Sequence, residues 1–127
     1  MVSVLQNVAI DCADAYRLAR FWSGVTGHPL HPEDRPGDRE TQVMLPTGSL
    51  LHFNQVPEPK RGKNRIHLCL RPETSREEEV ERLLGLGATW VIDRRDPDGS
   101  GWAVLADPEG NEFCVLRSAS DRGAVPS

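Results

Sequence analysis

The feature that most constrains this chain is a repeat. Pro46-Thr47-Gly48-Ser49 returns about half a chain later as Pro108-Glu109-Gly110-Asn111, and each copy leads into a run with apolar residues. Two copies are too few for a solenoid, which needs at least about three repeats to bury a continuous core. They predict a pair of equivalent modules instead. In the first half, residues 4–12 mix β-branched and apolar side chains as a strand does. Asp14 can then cap a helix carrying Ala15, Leu18, Ala19, Phe21, Trp22 and Val25, with Gly24 and Gly27 as stop signals. A polar, Pro-rich stretch over 31–41 precedes two strand-like runs, 42–45 and 50–56, joined by the turn Pro46-Thr47-Gly48.

The second half repeats the order. Residues 65–71 read as a strand and 75–86 as a helix. Ser75 and Glu78 stand at capping-box spacing there, and Glu77, Glu78 and Glu79 gather at the positive end of the helix dipole. A strand over 88–93 and a hairpin of 102–106 with 112–117 complete it. The expected fold class is α+β: two tandem βαβββ modules whose sheets curl around a shared cleft, the concave kind of place where small molecules bind. The expected organisation is a single domain over 1–127, with module one at about 4–56, a linker at 57–64, module two at about 65–117 and a frayed tail at 118–127.

Composition narrows the partners. With 127 residues, 38% of them hydrophobic, the chain can bury a core without disulfides or a structural metal. A net charge of −4 leaves no broad basic field for nucleic acid, and the cluster Lys60, Arg61, Lys63, Arg65 reads as a solvated linker. Three cysteines, Cys12, Cys69 and Cys114, cannot all pair, and they lie in strand-like patterns, which fits a reducing, cytoplasmic setting. No apolar run approaches a membrane span and no signal-peptide pattern opens the sequence.

Three phrases carry a family resemblance: Asp14 through Gly27 with Phe21-Trp22, then Asn64-Arg65-Ile66-His67-Leu68, and Asp107-Pro108-Glu109-Gly110-Asn111-Glu112-Phe113. Together with the repeat, the chain resembles the glyoxalase, bleomycin-resistance and extradiol dioxygenase group, the vicinal oxygen chelate superfamily, and within it the glyoxalase-like single-domain subgroup. In the superfamily's metalloenzymes four side chains meet in the cleft, one from the first and one from the last strand of each module. The resemblance places these at Asn7 (or Gln6, one residue earlier), His52 (or Leu50, when aligned on Phe53-Asn54), His67 and Cys114.

The same comparison separates the activities. Glyoxalase I relatives use a glutamate where this chain has Cys114, and a thiol is a poor substitute for that ligand and base, so glyoxalase I activity is not expected. Extradiol ring cleavage needs a carboxylate that the set lacks. The expectation is a protein without a resident metal, with zinc on His52, His67, Cys114 and Asn7 as the alternative. The resemblance implies binding of an apolar or aromatic metabolite or antibiotic in the inter-sheet cleft, as in the bleomycin-resistance members. The alternative is a lyase or isomerase, metal-independent or zinc-assisted, using His67 and His52 as acid and base. Phe53, Trp90, Trp102 and Phe113 are candidates to line the cleft, Trp22 belongs to the core, and His28 and His31 read as solvated. The loops over 31–39 and 93–101 suit rims or lids, and a homodimer is expected.

Overall fold

A computed structural model describes residues 1–46 and 50–118. The turn expected at Pro46-Thr47-Gly48 therefore lies largely outside the described residues, as does the tail expected from 118 onward except Ser118 itself. The chain divides into two compact units, Met1–Arg61 and Gly62–Ser127. Both are mixed α+β, consistent with βαβββ modules, and the second shows the full set of four strands.

The first unit runs β1 (Asn7–Cys12), α1 (Ala15–Thr26), β2 (Glu40–Met44) and β3 (Leu50–Gln55). Its sheet has the order β1-β3-β2, with β1 parallel and β2 antiparallel to β3. Leu30 adds an isolated bridge to Val43, at the position the second strand takes in the other unit's sheet. Because strand side chains alternate, Thr41, Val43, Leu51 and Phe53 point to one face and Gln42, His52 and Asn54 to the other. The first set is buried under α1, where Leu18 and Trp22 are fully buried too, each such apolar side chain stabilising the fold by about 1.5–3 kcal/mol. The Thr41 hydroxyl confirms the direction, since it donates to the Ala15 carbonyl of α1 at 2.7 Å.

The ends of α1 follow its sequence signals with one exception. The Asp14 side chain accepts from the Arg17 N–H at 3.1 Å, and Gly27, in the left-handed region, closes the helix by donating to the Ser23 carbonyl. Gly24, expected as a second stop, lies inside the helix. A lone glycine costs helix stability, and packing of Phe21, Trp22 and Val25 outweighs it.

The second unit holds β4 (Leu68–Leu70), α2 (Arg76–Leu86), β5 (Thr89–Arg95), β6 (Gly101–Ala106) and β7 (Glu112–Leu116). Its order, β4-β7-β6-β5, is that of the first sheet with the second strand complete, and its first strand is again parallel to its last. Here Ala103, Leu105, Phe113 and Val115 are the buried face, with Val80 and Leu83 of α2 buried as well. Ser75 caps α2 by accepting from the Glu78 N–H at 3.2 Å. β4 is shorter than the strand expected over 65–71. The reason is Asn64, whose amide accepts from the Glu112 N–H at 2.8 Å and donates to the Glu112 carbonyl at 3.2 Å, taking the place a peptide unit of the ladder would hold. Ile66, which falls within the strand expected over 65–71, lies before β4 and is 80% exposed.

Candidate functional site

His52 stands on the face of the first sheet that α1 does not cover. The register puts it between Ala9 on β1 and Gln42 on β2, with Asn7 two residues away on the same face. Its imidazole is loosely held. Gln42 Nε2 is 3.5 Å from Nδ1, and Glu40 Oε1 is 3.4 Å from Nε2, an ion-pair distance outside hydrogen-bond geometry. Nε2 is buried and has no hydrogen-bond partner among the described residues. A buried donor left unmade costs about 1–3 kcal/mol, which an acceptor on a bound molecule would recover.

Around this histidine lies an open pocket of about 320 Å³. Besides His52, Gln42 and Glu40, it is lined by His31, Glu33, Asp34 and Asp38 from the preceding loop. The loop is pinned to β2 by its own polar groups: Asp34 Oδ2 accepts from the Gln42 N–H at 2.8 Å, and His31 N–H donates to the Gln42 carbonyl at 3.1 Å. Asp38 Oδ2 accepts from the Arg35 N–H at 2.8 Å. His31 is thus a pocket residue, where the sequence pointed to solvent. Its Nδ1 accepts from the Glu33 N–H at 3.1 Å, which leaves the ring proton on Nε2. Four carboxylates with two histidines and one amide give the pocket an acidic, polar lining.

The second sheet also has a face that α2 does not cover. Cys69, Cys114, Val104 and Ile92 are paired across its four strands, and Trp102 follows on β6, so these side chains share the face away from α2. Ile92 and Trp102 are 41% and 43% exposed, which gives that face an apolar character. Cys114 is buried, and burial first, then the neighbouring Cys69 thiol, push its pKa up. The residue in register with Cys114 is Cys69, not His67. His67 precedes β4, and its Nε2 lies 3.2 Å from the Asn64 carbonyl, to which it must donate. Only Nδ1 then remains to accept a proton or a ligand donor.

Three expected lining residues sit elsewhere. Phe53 is 0% exposed on the α1 side of its sheet, and Phe113 is 1% exposed on the α2 side, so both are core. Trp90 pairs with Leu105, and a bulge at Val91 separates it from the Ile92 face. It lies beneath the Arg95 guanidinium, 5.0 Å from the ring centroid, and Arg95 also reaches Glu77 of α2. Arg95 grips Asp93 with both fork nitrogens, at 2.9 and 2.8 Å. These bonds, with the Arg95 backbone N–H, hold the Asp93 carboxyl at about 2. Any stabilisation from this pair is present above the ordinary carboxylate pKa of about 3.9 and is lost as pH falls through the depressed value. A carboxyl-carbon NMR titration should place the Asp93 midpoint near there, and Arg95→Gln should return it to the ordinary range. An unchanged midpoint in the variant would show another cause.

The sequence pattern of the glyoxalase-like domain matches residues 7–116. The chain belongs to the glyoxalase-like domain family. No curated protein matches the sequence. Among solved structures, a glyoxalase/bleomycin resistance protein/dioxygenase family enzyme from Burkholderia phytofirmans PsJN is similar to this glyoxalase-like protein over 89% of the chain and 97% of its own length, with a TM-score of 0.70 and 22% identity. A hypothetical protein from S. aureus has a TM-score of 0.69 at 16% identity, covering 92% of this chain and 95% of that one. The fosfomycin resistance protein FosX from Listeria monocytogenes, solved with Mn(II) and a dihydroxypropylphosphonic acid, covers 96% of both chains with a TM-score of 0.68 and 16% identity. At these identities the likeness establishes the fold.

A metal, which the superfamily often binds, is poorly served by this glyoxalase-like chain. Among the described residues no group of three or more His, Cys, Asp or Glu side chains is placed to hold an ion. The donor chemistry agrees, because Asn7 offers a neutral amide, the Cys114 thiol resists ionisation and His67 Nε2 is engaged.

Proposed function

We propose that this glyoxalase-like protein binds a small organic molecule in the pocket around His52, and that it lacks glyoxalase I activity. The observation that carries the reading is the buried His52 Nε2, without a hydrogen-bond partner among the described residues, at the wall of an open pocket. The polar lining narrows the ligand class. Glu33 and Glu40 favour a ligand with a protonated amine or guanidinium, and an acceptor group on the same molecule would accept a hydrogen bond from His52 Nε2–H. An apolar or aromatic body remains compatible, provided it carries such a basic group. The second part of the reading rests on Cys114, which the family resemblance aligns with the glutamate of glyoxalase I relatives and whose raised pKa keeps its thiol protonated, opposing a role as base.

The test is a thermal-shift and calorimetric screen of small organic cations beside matched neutral and anionic analogues, on wild type and His52→Ala. Cations should bind wild type, weaken with added salt, and lose about tenfold or more in affinity on His52→Ala. Equal affinity in the variant, or a response confined to anions, would refute the proposal.

A further inference from the structure

We propose that Cys69 and Cys114 form a modification site at which hydroperoxides generate a reversible disulfide, with Cys69 as the attacking sulfur and Cys114 as the resolving one. The inference is independent of the pocket around His52. It starts from the register: Cys69 on β4 and Cys114 on β7 are direct partners in a parallel pair, so their side chains leave the sheet on the same face. Neighbouring strands run about 4.8 Å apart. That spacing falls inside the Cα separations of about 4.4–6.8 Å that disulfides span. β4 has three residues and is the edge strand of its sheet, so it can shift the small distance that bond formation requires.

Exposure assigns the roles. Cys69 is exposed and meets oxidant first, whereas Cys114 is 8% exposed. Cys12 provides the contrast within the same chain. It is buried in the first unit, its thiol donates to the Asn54 carbonyl at 3.4 Å, and no other cysteine is its strand partner. The chemistry closes with the oxidant named. The Cys69 thiolate attacks one oxygen of hydrogen peroxide, the O–O bond breaks, and Cys69 becomes a sulfenic acid as hydroxide leaves. Cys114 sulfur then attacks the sulfenic sulfur, the S–O bond breaks, and the released hydroxide and thiol protons end in water. Two thiols and one peroxide yield one disulfide and two waters. Drawing in-register parallel strands together strains the bridge, which makes it easy for a small thiol to reduce.

The experiment treats the full-length protein with a small molar excess of hydrogen peroxide and follows it by non-reducing peptide mapping and intact mass. Wild type should lose the mass of two hydrogen atoms, show a Cys69–Cys114 peptide, keep Cys12 free and recover fully with dithiothreitol. Cys114→Ser, and Cys114→Ala if the serine variant folds poorly, should instead accumulate a sulfenic acid at Cys69 that dimedone traps. Cys69→Ser should slow oxidation of Cys114 by about tenfold or more, since a buried thiol reacts poorly by itself. The idea is overturned if wild type stops at oxidised Cys69 without the bridge, if Cys69 links only between molecules, or if Cys114 oxidises as fast in Cys69→Ser.

Discussion

Gly101→Ala should lower the unfolding free energy by at least about 3 kcal/mol. Gly101 opens β6 at φ 88, and a Cβ built there would run into the Arg94 carbonyl oxygen of the paired strand. Backbone cannot yield as a flexible side chain can. The damage spreads further, because the Gly101 carbonyl accepts from Arg76 Nη1 at 3.0 Å, and Arg76 is a buried cation at the start of α2. Gly27→Ala is the matched control. Its φ of 74 is also left-handed, yet nothing among the described residues lies within 4 Å of its added Cβ. The cost there should be limited to about 1–2 kcal/mol of backbone preference. Urea unfolding of both variants reads the difference directly, and equal losses would show that the Arg94 contact relaxes without strain.

Asp107→Ala should cost about 3 kcal/mol. Asp107 is 2% exposed, and its carboxylate holds the last hairpin together. Oδ1 accepts from the Glu109 N–H at 2.9 Å and the Asn111 N–H at 3.0 Å, while Oδ2 accepts from Asn111 Nδ2 at 3.0 Å. Removing the side chain strands these donors in a turn that leads directly into β7. Asp107→Asn keeps one acceptor oxygen and should recover part of the loss. A denaturation midpoint unchanged in the alanine variant would mean that Pro108 and Gly110 alone shape the turn.

The modular order was legible because its signals are local. Asp14 and Ser75 announce their helices by side-chain oxygens at fixed distances along the chain, and both cap as their positions imply. The strand order follows from the same repeat, and the resemblance to the glyoxalase group rested on phrases that the family pattern covers. What was not legible depends on partners distant in sequence. Asn64 ends β4 early through Glu112, and no local rule foretells an amide standing in for a peptide group. His31 and the loop carboxylates become a pocket only because Asp34 ties the loop to Gln42. Cys69 does not stand out as a site residue in the sequence because parallel register, which makes it the neighbour of Cys114, cannot be read along one strand. Phe53 and Trp90 were misplaced for a related reason: aromatic character in a strand does not say which face it takes, and the bulge at Val91 shifts the alternation.

β5 carries a last consequence. It is the outer strand of its sheet, it is seven residues long, and Trp90, Val91 and Ile92 on it are all more than 40% exposed. Such a strand is a template on which a second chain can add cross-β pairing and seed precipitation. The bulge at Val91 breaks the flat ladder such growth needs, and Asp93, Arg94 and Arg95 place charge immediately after the apolar run. The Arg95 guanidinium over Trp90 covers part of the indole besides. The cation that orders this corner of the fold therefore also acts as a gatekeeper of solubility, so stripping its charge would show first in a crowded, freshly made population of chains and only later in the folded molecule.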